Sequence, residues 1–457
     1  MTLVSTNPAT EQPLQRYELH SCAELEDILA RAESAQRAWA QVDIEQRCGA
    51  LLRIADVLRQ RQAAYALLIT REMGKPITEA ESEIEKCAAT CEFYARQAPV
   101  FLADLAVSTN AADSRVVFDP LGVVLAVMPW NYPFWQFIRF AAPALAAGNG
   151  AILKHANNVP GCALALEQLF VEAGLPEGLI GTLLIDSSQV AAVLADERIA
   201  AVTLTGSTAV GKLVAAQAGA LMKKQVLELG GSDPFIVLAD ADIEAAAAAA
   251  VKARFSNTGQ SCISSKRFIV EQSVADRFVD AFVSGVEKLK VGDPAARDTQ
   301  VGPLARASLR ADIHAQVTRS VEAGAKLLTG GQPLPGPGFF YPPTVLDHVT
   351  PAMAAATEET FGPAAAVIRV EDARQAIEIA NATEFGLGAA LWTSDLGRAR
   401  ALARQIQAGA VFINALVASD ARVPFGGIKQ SGYGRELGDF GIREFTNIKT
   451  VWQGPNH

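Results

Sequence analysis

Apolar residues recur at helical spacing from Cys22 to about Gln97. Leu25, Ile28, Leu29 and Ala32 form one stripe, and Leu51, Leu52, Ile54, Ala55 and Leu58 form another. This period predicts amphipathic helices. Gly74-Lys75-Pro76 breaks the pattern, and a further helix follows it. Between Val107 and Pro120 the pattern loosens into an alternation bounded by turn residues, which predicts a strand or hairpin. Short apolar runs then alternate with helical stretches: strand 122–128, helix 133–147, strand 150–154, helix 159–173, strand 181–184, helix 190–195 and strand 201–205. Such alternation specifies a parallel, doubly wound sheet.

A second alternating block starts at Pro234, with strand 234–238, helix 243–254, strand 267–271, helix 274–290 and later strands 364–370 and 410–413. The glycine- and proline-rich stretch 330–343 reads as irregular loop. Segment 445–452 reads as a strand suited to pairing with 107–120. The expected fold class is α/β, with two doubly wound, Rossmann-like domains and a small β element assembled from distant segments.

Composition adds boundaries rather than chemistry. Half of the 457 residues are hydrophobic and 19% are charged, which suits a compact soluble chain of two or three domains. Lysine and arginine number 40 against 49 acidic residues, a net charge of −9 that disfavours a nucleic-acid footprint. The N-terminal stretch lacks the order of a secretory signal, and no apolar run approaches the roughly 18 residues needed to span a bilayer. Six cysteines, at positions 22, 48, 87, 91, 162 and 262, make no disulfide framework in so long a chain. Cys87 and Cys91 are four apart but have no second ligand pair for zinc, so they read as buried thiols. The expectation is a cytoplasmic, reduced protein with no metal, membrane or nucleic-acid partner.

Three residues stand out chemically. Cys262 ends the polar loop Ser256-Asn-Thr-Gly-Gln-Ser, poor company for a core thiol and suitable for a nucleophile, although a lone cysteine is more often a small core residue. Glu228, in Val226-Leu-Glu-Leu-Gly-Gly231, is either a strand-edge charge or a carboxyl whose apolar flanks raise its pKa for general-base work. Asn131, in Met128-Pro-Trp-Asn-Tyr-Pro133, is either a helix N-cap or a donor to an oxyanion. A fourth feature, Gly206-Ser-Thr-Ala-Val-Gly211-Lys212, opens a helix after a strand and suits a phosphate. Leu213 stands where a Walker A loop needs a hydroxyl, so pyrophosphate binding is favoured over nucleotide triphosphate hydrolysis.

In order along the chain, Pro129-Trp-Asn131, Lys154, Thr205-Gly-Ser207 with Gly211, Glu228-Leu-Gly-Gly231, Gly259-Gln-Ser-Cys262, Glu359-Thr-Phe361-Gly-Pro363 and Pro424-Phe-Gly-Gly427 resemble the motifs of the aldehyde dehydrogenase superfamily. The resemblance covers nearly the whole chain. It implies a dinucleotide-binding domain from 1–106 and 121–229, a catalytic domain from 230–430, and an oligomerisation element from 107–120 and 431–457 that makes a homodimer or homotetramer. It implies that Cys262 attacks an aldehyde, that Asn131 holds the oxyanion, and that Glu228 activates the water that hydrolyses the thioester. The cofactor would be NADP or NAD, touching Trp130, Lys154, Asn157, Gly206, Ser207, Gly211, Glu359 and Phe361. NAD-specific members often carry a glutamate where this chain has Asn157. A neutral side chain there removes the repulsion that excludes a 2′-phosphate, so NADP should be accepted.

Arg139, two turns into a predicted helix that also carries Trp135, sits among Phe137, Ile138 and Phe140. It is either half of a structural ion pair or a receptor for a substrate carboxylate. Arg139 and Ser419 resemble the corresponding positions of semialdehyde dehydrogenases acting on succinate semialdehyde, and Trp135 and Phe425 would line the same pocket. Some such members carry an arginine and a redox-active cysteine where this chain has Ser256 and Ser264. One arginine alone would let glutarate semialdehyde or uncharged aldehydes react too, and no disulfide switch is expected. The rival of another class, a cofactor-independent cysteine esterase, needs a histidine partner, and the five histidines form no recognisable motif.

Overall fold

The computed structural model describes residues 2–454; Met1 and residues 455–457, at the outer ends of segments 1–106 and 431–457, lie outside the described residues. Two large sheets organise the chain. The first runs in the order 432–433, Lys224–Glu228, Ile199–Thr205, Val123–Met128, Gly150–His155 and Ile180–Thr182. Its five longer strands run parallel, and only Gly432–Tyr433 adds antiparallel, against Glu228 and Leu227. The sequence order of those five strands is 3-2-1-4-5, that of a doubly wound nucleotide-binding sheet.

The second sheet runs Lys326–Thr329, Thr344–Asp347, Ala364–Val370, Arg267–Glu271, Pro234–Val237, Gly388–Trp392 and Ala410–Ile413. It is parallel except at Lys326–Thr329, an edge that pairs antiparallel. Strands such as Pro234–Val237 and Gly388–Trp392 are buried throughout, as strands covered on both faces must be. The linker from Leu229 to Asp233 joins the carboxyl edge of the first sheet to the amino edge of the second, so the two edges face each other.

The third sheet is small and antiparallel. Thr446–Gln453 pairs along its length with Asp113–Pro120, and Leu105–Ala106 adds two residues at the other edge. The expected strand within 107–120 thus starts later, at Asp113, because the turn at residues 107–112 occupies the first half. Segment 431–457 is not one unit. Its Gly432–Tyr433 completes the first sheet, and its helix Gly438–Glu444 packs on the helices Ile77–Phe101 and Trp135–Ala146. An N-terminal hairpin, Thr2–Thr6 with Pro13–Glu18, has no counterpart in the predicted elements. Among the described residues no helix is long and apolar enough to cross a membrane.

Candidate active site

In a sheet of this order the connections diverge between Val123–Met128 and Ile199–Thr205, opening a crevice at their carboxyl ends. Trp130 and Asn131 leave the first strand there, and Gly206 and Ser207 leave the second. All four line one cavity of about 220 Å3, together with Cys262, Glu359 and Phe361. The rings of Trp130 and Phe361 meet edge to face, 5.7 Å apart. Ser207 caps the helix Thr208–Ala220, its Oγ accepting the Val210 N–H at 3.4 Å.

Cys262 arrives from the other sheet on a strained loop. Asn257, Thr258 and Gly259 all have positive φ (53°, 56° and 71°), a run that two non-glycine residues sustain only when held from outside. The restraints are visible. Glu79 accepts the Asn257 N–H at 2.7 Å, Thr258 Oγ1 donates to the Gly302 carbonyl at 3.2 Å, and a Cβ at Gly259 would strike the Gly362 carbonyl. Beneath the loop, the buried Lys266 ammonium donates to the carbonyls of Ser261, Cys262 and Ser264 at 2.8–3.0 Å. Burial pushes the Cys262 thiol up to about 12, with Glu228 and Glu359 adding to the effect and Arg139 and Lys266 opposing it. The resting sulfur is therefore a thiol.

Asn131 is not the cap of the following helix, which starts at Trp135 with Phe134 at its N-cap. Its amide instead donates to the Gln260 carbonyl at 3.0 Å, beside the nucleophile loop, and its backbone carbonyl accepts from Asn257 Nδ2 at 2.9 Å. An amide nitrogen carries two hydrogens, so one remains to be donated. Among the described residues the Cys262 N–H has no acceptor either. Two uncommitted donors thus belong to residues that line the same cavity.

Glu228 ends its strand fully buried, and neither carboxylate oxygen accepts a hydrogen bond. It lines neither cavity at Cys262; its neighbour is a second buried carboxyl, Glu436. Arg139 pairs with Glu436, the two side chains being 2% and 3% exposed. Burial raises both carboxyls, and Glu436 raises Glu228 further. The Arg139 guanidinium is directed at Glu436, and at Glu228 Arg139 and Arg435 oppose the rise without cancelling it.

That pairing favours the first of the two alternatives for Arg139, half of a structural ion pair. The guanidinium reaches Thr205 Oγ1 at 3.4 Å, lies 4.8 Å over the Phe425 ring, and is neutralised by Glu436. The backbone bridge between Phe425 and Glu436 brings both groups to it. A charge already compensated by a buried partner is no open receptor. Arg139 does border a second cavity, of about 500 Å3, with Tyr132, Trp135, Cys262, Ser419 and Phe425. The enclosed cation there with no carboxylate within 4 Å among the described residues is Lys86, whose Nζ donates to Ser419 Oγ at 2.7 Å and lies 4.1 Å over the Trp135 ring. No histidine is among the residues that line either cavity.

The family model for the aldehyde dehydrogenase family matches residues 1–451. The chain belongs to the aldehyde dehydrogenase family. Its similarity to individual members is close. A succinate semialdehyde dehydrogenase [NAD(P)+] of Escherichia coli is 48% identical over 450 residues, covering 98% of this chain and 97% of that protein. A succinate-semialdehyde dehydrogenase [NADP(+)] of Mycobacterium avium is 49% identical over 469 residues, with 99% and 97% covered. Among solved structures, the succinic semialdehyde dehydrogenase of Streptococcus pyogenes in complex with NADP+ superposes with a TM-score of 0.97 at 37% identity, covering 99% of this chain and all of the other.

For an aldehyde dehydrogenase the switch-point crevice is the place to test a dinucleotide, and the residues fit one. The first turn of the helix after Ser207 offers backbone N–H groups to a pyrophosphate. Gly211 lets that helix approach the next loop, since a Cβ there would meet Leu229 Cδ1 at 2.5 Å. Lys154, pulled down to about 8 by burial, has no carboxylate within 4 Å among the described residues and donates to Asn157 Oδ1 at 2.6 Å. Glu359, raised by burial, accepts the Gly231 N–H at 2.9 Å and lies 4.0 Å from Lys266.

Several residues of the site had no motif to announce them. Glu79, Glu83 and Lys86 follow one another at i, i+4 and i+7 on one face of the helix Ile77–Phe101. Glu83 pairs with buried Lys75 and accepts the N–H groups of Phe134 and Trp135 at 2.9 Å, so it caps the helix that carries Trp135. The available signal was this charged stripe, since a helix between two others ought to bury an apolar face.

Proposed function

We propose that this aldehyde dehydrogenase oxidises succinate semialdehyde to succinate and accepts NADP, with NAD also used. One observation carries the reading: Cys262 is shared by two cavities, one at the nucleotide switch point and the other lined by Lys86 and Ser419. The names of the Escherichia coli, Mycobacterium avium and Streptococcus pyogenes relatives support the same substrate and cofactor.

In this reading Cys262 gives its proton to a water molecule that passes it to solvent, and its sulfur bonds to the aldehyde carbon, the carbonyl π pair moving onto oxygen. Asn131 Nδ2 and the Cys262 N–H receive that oxyanion, an interaction typically worth about 3–4 kcal/mol per donor. A bound nicotinamide dinucleotide supplies the hydride acceptor that turns the thiohemiacetal into a thioester. Trp130, Gly206, Ser207, Gly211, Glu359 and Phe361 would hold and orient it, with Lys154 and Asn157 at the adenine ribose. Glu228, once deprotonated, turns toward the thioester and takes a proton from water. The water oxygen bonds to the acyl carbon, the carbon–sulfur bond breaks, and the acid leaves.

The test is an aldehyde panel (succinate semialdehyde, glutarate semialdehyde, butanal and benzaldehyde) run with each cofactor at the nicotinamide absorbance band. We expect the highest kcat/KM with succinate semialdehyde. With Asn157 in place of an acidic residue, the kcat/KM ratio of NAD over NADP should stay below about a hundred, or ~2.7 kcal/mol. A larger ratio would refute NADP use, and a preference for the neutral aldehydes would refute the carboxylate.

The strand Thr446–Gln453 exposes Ile448, Val451 and Trp452, the first by 60% and the last by 53%. Apolar side chains on a projecting edge strand suit association with a second copy. Light scattering after gel filtration should give a dimer or tetramer, and Ile448→Asp with Trp452→Asp should reduce it to monomers. A monomeric parent protein would sink this part of the reading.

A further inference from the structure

We infer that Lys86 determines specificity by receiving the distal carboxylate of the substrate, with the Ser419 hydroxyl as its second donor. This inference rests on the preceding reading that the aldehyde carries a carboxylate, and it names the group that recognises it.

The case starts from the charges around the second cavity. Arg139 is taken by Glu436, Lys75 by Glu83, and Asp420 by Arg422, while Lys252 is exposed at the surface. Glu79, raised to about 7 by burial, spends one oxygen on the Asn257 N–H. Lys86 alone among these cations is largely enclosed yet has no carboxylate within 4 Å among the described residues. Its nearest polar partner is a neutral hydroxyl. An enclosed ammonium without a counter-ion is costly, and a ligand that brings one removes that cost.

The neutral partner is informative in itself. Ser419 Oγ accepts from Lys86, so its own hydrogen is free to donate. One ammonium and one hydroxyl side by side match the two oxygens of a carboxylate. The Trp135 ring under the ammonium fixes its position, and the same ring lines the cavity that leads to Cys262. The arrangement selects a short aldehyde with an anionic far end.

The experiment compares KM for succinate semialdehyde and for butanal, its neutral analogue of equal chain length, in the full-length parent, Lys86→Met and Lys86→Arg. The ratio of the two KM values should shift against succinate semialdehyde by about 10–100-fold in Lys86→Met, the loss of a charge-assisted pair. Lys86→Arg should recover most of it. Thermal midpoints should hold or rise in Lys86→Met, whereas a purely structural lysine would lower them and move both KM values together. A ratio that moves less than threefold, in a parent that favours succinate semialdehyde, overturns the role of Lys86 and leaves the substrate standing. A parent that does not favour it overturns both.

Discussion

Glu228→Gln should turn the enzyme into one that reduces about one equivalent of cofactor per active site and then nearly stops. Acylation of Cys262 does not call on Glu228 in the proposed sequence; hydrolysis of the thioester does. Losing a positioned general base typically costs about 10^2- to 10^4-fold, so the steady-state rate should fall by that order while the burst survives. The substitution is mild for the fold. Glu228 is buried beside Glu436 with its pKa raised well above the ordinary carboxylate value, and glutamine matches its size while bringing no charge to bury.

The direction of that shift also sets the pH behaviour of the parent protein. A base works only when deprotonated, so the hydrolytic step should accelerate as pH rises toward the elevated pKa of Glu228. The same sign applies to Cys262, whose thiol is pushed up to about 12. For stability the sign is opposite. A carboxyl whose folded pKa exceeds its unfolded value contributes stability at low pH and loses it as pH rises through the folded pKa. Rapid-quench detection of acyl-enzyme across pH separates the two steps. Equal loss of burst and steady state in Glu228→Gln would remove the carboxyl from deacylation and place it in the attack.

Much of this was written in local sequence. Cys262, Asn131 and Glu228 each follow or end an element whose period is plain, and the switch point follows from the order in which strands and helices alternate. Other parts depend on partners far along the chain. The strand Gly388–Trp392, Gly-Ala-Ala-Leu-Trp, is built largely of small residues that are poor strand formers; burial on both faces holds it. The strand Pro13–Glu18 of the N-terminal hairpin is mostly exposed and has no apolar alternation to betray it. Lys86 resembles an ordinary solvated charge until Trp135 and Ser419, both distant in sequence, come to meet it. The two alternatives for Arg139 could not be separated locally because its partner Glu436 lies far along the chain, in a loop brought back by the pairing of Phe425 with Glu436.

Arg139→Met is the variant that separates an ion-pair arginine from a substrate-binding one. It leaves Glu436 buried without its counter-ion and next to Glu228, the arrangement for which removing one partner typically costs about 3–5 kcal/mol. The penalty should depend on pH. Without Arg139, Glu436 folds only as the neutral acid, so its folded pKa lies higher still, and stability should drop as pH rises and recover as pH falls. Adding Glu436→Gln removes the orphaned charge, so the double variant should regain most of the thermal midpoint. In catalysis the loss should fall on succinate semialdehyde and butanal alike, since both use Cys262 and Glu228 beside the disturbed pair. A thermal midpoint equal to that of the parent, with KM raised for succinate semialdehyde alone, would return the carboxylate to Arg139 and take it from Lys86. The physical ground for the expected result is that a guanidinium neutralised inside the protein has little charge left to offer a ligand, whereas an enclosed ammonium held by a hydroxyl has nearly all of it.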